Sequence, residues 1–342
     1  MTIDRRKLVS AALAAPALIA SSRLGKAAPM RTLKLTHPFR NSTDDSGDMR
    51  DRLCRQFAAA VGERTGGELA VEIASDFTTR DTVGIFAALK RGTLDLSLYP
   101  ISDAAKGLPE LDIGLMPGLV TSYKQGAGWK SSPVSGKFAD FLADQGIVVL
   151  SFIWLAGGMA SRVHPIVNPE DAKGLKVRSG HHQMDEVLHA VGAITTPVRT
   201  NVLYASMQSG ALDAAVTSST SLMGFKLEEV AKSVTTGRNR SYWYILAPLI
   251  MSRRTFDSLS KPHQDALRAL GAAAEPLATA AASADDQKVA DLYEKHGVKV
   301  VDLDAAAVEK WRMLARATAW KHYAEKTPLC AELIRLAEAV AP

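Results

Sequence analysis

Arg178 is the residue whose type and place most invite chemistry. It closes a short β-like run, Leu175-Lys176-Val177-Arg178, and the turn signal Ser179-Gly180 follows at once. In an open α/β sheet, ligands bind outside the carboxyl ends of strands, and a guanidinium offers paired donors that match a carboxylate. The alternative is a surface arginine paired with a neighbouring acid. The Ser/Thr cluster Thr217–Ser221 stands where the strand expected over Leu212–Thr217 ends, and it reads either as turn chemistry or as cleft lining. His181, His182 and His189 form the one histidine cluster. His182 and His189 share a helical face but stand two turns apart, too far to hold an ion without a third element. No acid completes a known metal motif, so no metal is expected. The chain has no Gly-x-Ser-x-Gly elbow, phosphate-binding glycine loop or dinucleotide fingerprint. No cofactor and no ordinary catalysis are therefore expected.

The elements around Arg178 must present it. Helices are expected from about Gln183 to Val191 and from about Asn201 to Gln208, stopped by Gly192 and Gly210 as left-handed C-terminal caps prefer. Upstream, strands at Thr32–Thr36, Leu69–Ala74 and Leu94–Tyr99 alternate with helices at Ser46–Arg64 and Thr82–Arg91. Such alternation predicts parallel α/β sheets. The segments Ala88–Leu98 and Ser206–Val216 echo each other: a helix end, a Gly, then Leu-Asp entering a strand. The echo points to paired domains and to further strand ends at Tyr99-Pro100-Ile101 and Thr217-Ser218-Ser219. Two long apolar strands are expected, Ile147–Trp154 and Tyr242–Met251, the second able to return between domains. A long helix from Ser258 to Glu294, kinked at Pro276, can brace both. Lys299–Leu303 is a last strand, and Ala305–Glu325 and Pro328–Ala339 are closing helices.

The stretch Gly174–Asp213 resembles the second-domain signature of the solute-binding proteins of tripartite ATP-independent periplasmic (TRAP) transporters, the DctP family. The likeness lies in the run Lys173–Arg178, in Gly192-Ala193 before Pro197, in Tyr204 on a helix, and in the turn Met207–Asp213. It extends from about Leu33 to the C-terminal helices. The resemblance implies an α/β, two-domain periplasmic-binding-protein-like fold with crossing strands and a long helix spanning both domains. Domain I would comprise 31–153 plus 245–283 and domain II 154–244 plus 284–342, with a ligand cleft between them. It implies that Arg178 anchors a ligand carboxylate. Counting on from it, family contact positions fall on His181, Asn201, Thr217, Ser218 and Tyr242; Asn201 also reads as a helix N-cap. A second arginine of some relatives falls here on Gly158, with Arg162 near but out of register. The room so opened would let Trp154 and Trp243 wall a pocket, unless both are simply core. The implied partners are a small organic carboxylate and the membrane subunits of a TRAP permease, with the receptor a monomer. The rival readings are a periplasmic two-domain hydrolase using His181 or His182 with the Ser/Thr cluster, and a receptor for a sensor kinase or another transporter type.

Residues 1–27 read as an export signal: Arg5-Arg6-Lys7, an Ala-rich apolar run from Leu8 to Ala20, and small residues before a cut after Ala27. The paired arginines favour the twin-arginine route, with general export as the alternative. Either ends in the periplasm. The segment carries five Lys/Arg and one Asp, so four of the five net positive charges leave with it. Charge thus gives no support to nucleic-acid binding. Cys54 and Cys330 are open to pairing in an oxidising compartment or to burial as free thiols.

Overall fold

The computed structural model describes residues 30–43, 46–75 and 81–341, and the expected export segment lies outside them. Strands β1 (Arg31–His37), β2 (Leu69–Ser75), β3 (Leu96–Leu98) and β4 (Ile147–Ser151) come first. Then follow β5 (Trp154–Ser161), β6 (Lys176–Arg178), β7 (Ile194–Thr195), β8 (Ala214–Ser218), β9 (Ser233–Thr235) and β10 (Tyr244–Leu246). The last are β11 (Leu249–Ser252) and β12 (Lys299–Val301). One five-stranded sheet has the order β2-β1-β3-β11-β4; a seven-stranded sheet has the order β12-β9-β5-β8-β6-β7, with β10 on β5. Alternation sets the faces: in β1, Leu33 and Leu35 are buried while Thr32 and Lys34 are exposed. The helix Met49–Arg64 turns Leu53, Cys54, Phe57 and Val61 inward and packs on β2.

The sequence echo is a shared turn. Helices end at Gly92 (φ 73°) and Gly210 (φ 79°), the left-handed region glycine tolerates. Each following aspartate then takes the backbone of the neighbouring parallel strand. Asp95 Oδ2 accepts from Lys34 N at 2.8 Å, and Asp213 Oδ2 from Lys176 N at 2.9 Å. Because these side chains take the first ladder positions, β3 and β8 begin later than alternation predicts.

Neither long apolar strand is continuous. The first breaks at Phe152-Ile153, so β4 lies in one sheet and β5 in the other; the second breaks at Ala247-Pro248, between β10 and β11. The reason is that the chain changes sheets there, and both halves stay buried, so hydropathy shows no gap. The two crossings touch, with Ala247 N donating to Ile153 O at 2.8 Å. The third connection is the 35-residue helix Lys261–Lys295, which is continuous through Pro276. Its Gly271 lies so close to β4 that an added Cβ would stand 2.4 Å from Leu150 O. The closing helix runs through a π-helical segment, Arg316–Trp320, between Ala305–Ala315 and Lys321–Lys326. The helix Pro328–Glu338 then packs on Pro133–Asp144, beside the first sheet. Cys54 and Cys330 are buried free thiols. Among the described residues, no helix is long and apolar enough to cross a membrane.

Candidate functional site

Four strand ends converge on one cavity of about 100 Å³. From the first sheet come Pro38 and Phe39, just beyond β1, Pro100 and Asp103 beyond β3, and Arg50 from the first turn of the following helix. From the second come Arg178 and Gly180 at the end of β6 and Thr217, Ser218 and Ser221 at the end of β8. Trp243 and Ile245, beside the crossing, join the lining.

Main chain orients Arg178. Nε donates to Val198 O at 3.2 Å and Nη1 to Val216 O at 3.0 Å. Gly180 (φ +87°) passes so near that an added Cβ would lie 3.0 Å from Nη1. Thr217 and Ser218 are buried. Ser218 Oγ caps the short helix Ser219–Gly224 and donates to Ser221 Oγ at 3.0 Å. That helix is tied to the spanning helix: Ser219 Oγ donates to Asp286 at 2.5 Å and Thr220 Oγ1 to Asp285 at 2.8 Å. Asp286 also accepts from Tyr123 Oη at 2.8 Å, so one carboxylate ties the Ser219–Gly224 helix to Tyr123. Burial pushes its pKa up to about 6, although the Ser219 and Tyr123 bonds favour the charged form.

His181 borders a second recess of about 360 Å³ on the other side of Arg178 and Gly180. Burial pushes its pKa down to about 4. An acid does meet the histidines: Asp112, remote in sequence, lies 3.6 Å from His181 Nε2 and 3.1 Å from His182 Nε2. All three offer ligand atoms within 4.8 Å of one another. Lys326 Nζ, however, stands 3.0 Å from Asp112 Oδ2 and 3.2 Å from His182 Nε2, so an ammonium already supplies the positive charge. Burial alone would raise the Asp112 carboxyl; His182, His181 and Lys326 hold it below its ordinary value.

Three expected site residues are placed elsewhere. Tyr242 is buried and stacked on Trp311, ring centres 4.4 Å apart, because the backbone turns Trp243 rather than Tyr242 to the cavity. Trp154 packs edge-on against Trp129 at 4.9 Å and borders a separate groove beside Pro276; the two tryptophans do not wall one pocket. Asn201 is exposed within a 3-10 turn, Thr200–Val202, and the helix starts only at Leu203, so Asn201 is not its cap. Gly158 pairs with Thr217, and a Cβ there would stand 1.8 Å from Thr235 O, which leaves no room for any side chain. Arg162 lies 3.9 Å from Asp213, away from the cavity. The second arginine on the lining is Arg50, which sequence reasoning missed. The strand-end rule applied to β1 would have reached Pro38 and Phe39, but not Arg50 on the helix that follows.

A profile of the bacterial extracellular solute-binding proteins, family 7 (DctP), matches residues 43–326. A solute-binding protein of Albidiferax ferrireducens is 48% identical over 306 residues, covering 90% of this chain and 90% of the relative. The crystal structure of a TRAP periplasmic solute-binding protein from Rhodoferax ferrireducens, solved with bound malonate, is 48% identical. It superposes with a TM-score of 0.85 over 90% of this chain and 98% of that one. A TRAP solute-binding protein from Chromohalobacter salexigens with bound D-glucuronate shares the fold (TM-score 0.78, covering 90% and 100%) at 19% identity.

Proposed function

The chain belongs to the DctP family and is a TRAP-type solute-binding protein; from that premise we propose that it captures a small carboxylate between its two sheets, with Arg178 as the anchor. The observation that carries this is the Arg178 guanidinium, fixed by two main-chain carbonyls on a cavity where four strand ends meet. Two main-chain bonds fix the direction of the guanidinium before a ligand arrives, so the group is preorganised for a carboxylate. Thr217 and Ser218 add short hydroxyls to the same lining. The two touching crossings and the spanning helix form the hinge, and the ligand favours closure because it gains contacts from both walls only in the closed state. Trp243 and Ile245 give the cavity an apolar side suited to a short carbon skeleton. The malonate held by the 48% identical relative agrees with so small a site. Loaded receptor would act in the periplasm and hand its ligand to membrane permease subunits.

The hydrolase reading needs a hydroxyl within hydrogen-bond reach of a histidine. Here Ser218–Ser221 bond one another, Asp285 and Asp286, whereas His181 and His182 face Asp112. A thermal-shift screen of short mono- and dicarboxylates tests the proposal, followed by recovery of the bound compound. A receptor stabilises with at least one member and returns it unchanged. No stabilisation, or conversion of the compound, would sink the proposal.

A further inference from the structure

The cavity has a second arginine, on its first-sheet side, that nothing in the family signature marks. Arg50 is 7% exposed, on the first turn of the helix Met49–Arg64. Its Nε donates to Asp48 Oδ1 at 2.8 Å and its Nη2 to Asp48 Oδ2 at 2.6 Å. The guanidinium lies over the Phe39 ring, 4.0 Å from its centre. Phe39 is itself held: its N donates to His37 Nδ1 at 3.3 Å, and His37 Nε2 stands 2.9 Å from the fully buried Asp51. A guanidinium has five N–H donors, and the bonds to Asp48 use two of them. Both Arg50 and Phe39 border the same small cavity as Arg178, from the opposite sheet.

Taking the carboxylate-receptor reading as its ground, we propose that Arg50 is the second anchor, binding the far carboxylate of a short dicarboxylate and selecting it over ligands with one acid group. Asp48 makes this affordable in the empty protein, because a paired guanidinium is far less costly to bury than a lone one. The same pairing makes Arg50 a discriminator more than a source of affinity. A ligand that presents an amide to it offers one neutral acceptor oxygen, whereas a carboxylate offers two and forms an ion pair. The small cavity keeps the two carboxylates close together.

Calorimetry on the full chain with acid–monoamide pairs tests this: malonate and malonamate, succinate and succinamate, glutarate and glutaramate. Wild type should bind one diacid roughly tenfold or more tighter than its monoamide. Arg50→Gln should weaken the diacid by about that factor, leave the monoamide within about threefold, and so erase the preference. Arg50→Lys should restore only part, because an ammonium cannot form the two-bond contact. A wild type that binds acid and monoamide equally, or a folded Arg50→Gln or Arg50→Lys that keeps the full preference, overturns the proposal and leaves the receptor reading intact. A wild type that binds no member of the panel overturns the second-anchor proposal, and one that is also stabilised by no carboxylate in the thermal-shift screen overturns the receptor reading with it.

Discussion

Val198 and Val216 hold the Arg178 guanidinium through main-chain oxygens, whereas Asp48 and the Phe39 ring hold Arg50. The two walls of the cleft thus hold the same side chain in different ways. Main-chain oxygens fix the direction of the first; a carboxylate fixes the second and offsets its charge. The walls are also built at different precision. On the second-sheet side, Gly157, Gly158 and Gly180 allow backbone and ring approaches that no Cβ permits. On the first-sheet side, the positions are set by side chains stacked on one another.

That difference can be broken from the second wall first. Gly158→Ala would drive a methyl into Thr235 O, 1.8 Å from the added Cβ, and prise β5 from β9. A loss of about 3 kcal/mol or more is expected in chemical denaturation, and a substitution costing under about 1 kcal/mol would show that the sheet yields more readily than its packing implies. A smaller, more local effect is expected of Gly180→Ala. Its φ of +87° strains any L side chain, and the methyl would meet Arg178 Nη1. Strain of about 1–2 kcal/mol should fall largely on the guanidinium's placement. Ligand affinity should therefore drop by about tenfold while most of the melting temperature is kept. Unchanged affinity would mean that the Arg178 fork is not positioned by this turn.

The walls differ in legibility for a physical reason. Arg178, Gly180, Thr217 and Ser218 lie in strand–turn–helix units with punctuation at every joint, so strand ends could be counted off the chain. Phe39 and Arg50 come from the β1–β2 connection and Asp103 from the one after β3, and an arginine in the first turn of a helix looks like any exposed charge until burial is known. The sheet changes at Phe152-Ile153 and Ala247-Pro248 were hidden because residues on both sides are equally buried. The family count put Tyr242 on the expected site and the room inferred at Gly158 put Trp154 there, and hydropathy could correct neither, since it cannot say which face of a buried strand turns to a cleft. Asp112 meets His181 only through the tertiary fold. The paired-domain echo was readable because glycine caps and Leu-Asp turns are local.

The smallest expected effect comes from a buried carboxylate that holds the Ser219–Gly224 helix. Asp286 joins Tyr123 to Ser219, and its pKa is raised from 3.8 to about 6, chiefly by burial. Between those values the folded protein binds a proton that the unfolded chain does not. The group's cost is therefore full above about pH 6 and is relieved as pH falls. Asp286→Asn removes it, so the variant's stability gain over wild type should be largest near neutral pH, at roughly 2 kcal/mol or less, and shrink toward pH 4. A gain independent of pH, measured by thermal melts across that range, would show that Asp286 stays ionised in the folded protein.

The central claim rests on Arg178, and calorimetry with the tightest carboxylate from the screen tests it most directly. Removing one partner of a desolvated charge pair typically costs about 2–5 kcal/mol. At about 1.4 kcal/mol per tenfold, Arg178→Ala should lose roughly thirtyfold to several-thousandfold in affinity. Arg178→Lys should recover only part of it, with circular dichroism confirming the fold of both. A folded Arg178→Ala that binds within about threefold of wild type would contradict the account and move the site away from the end of β6.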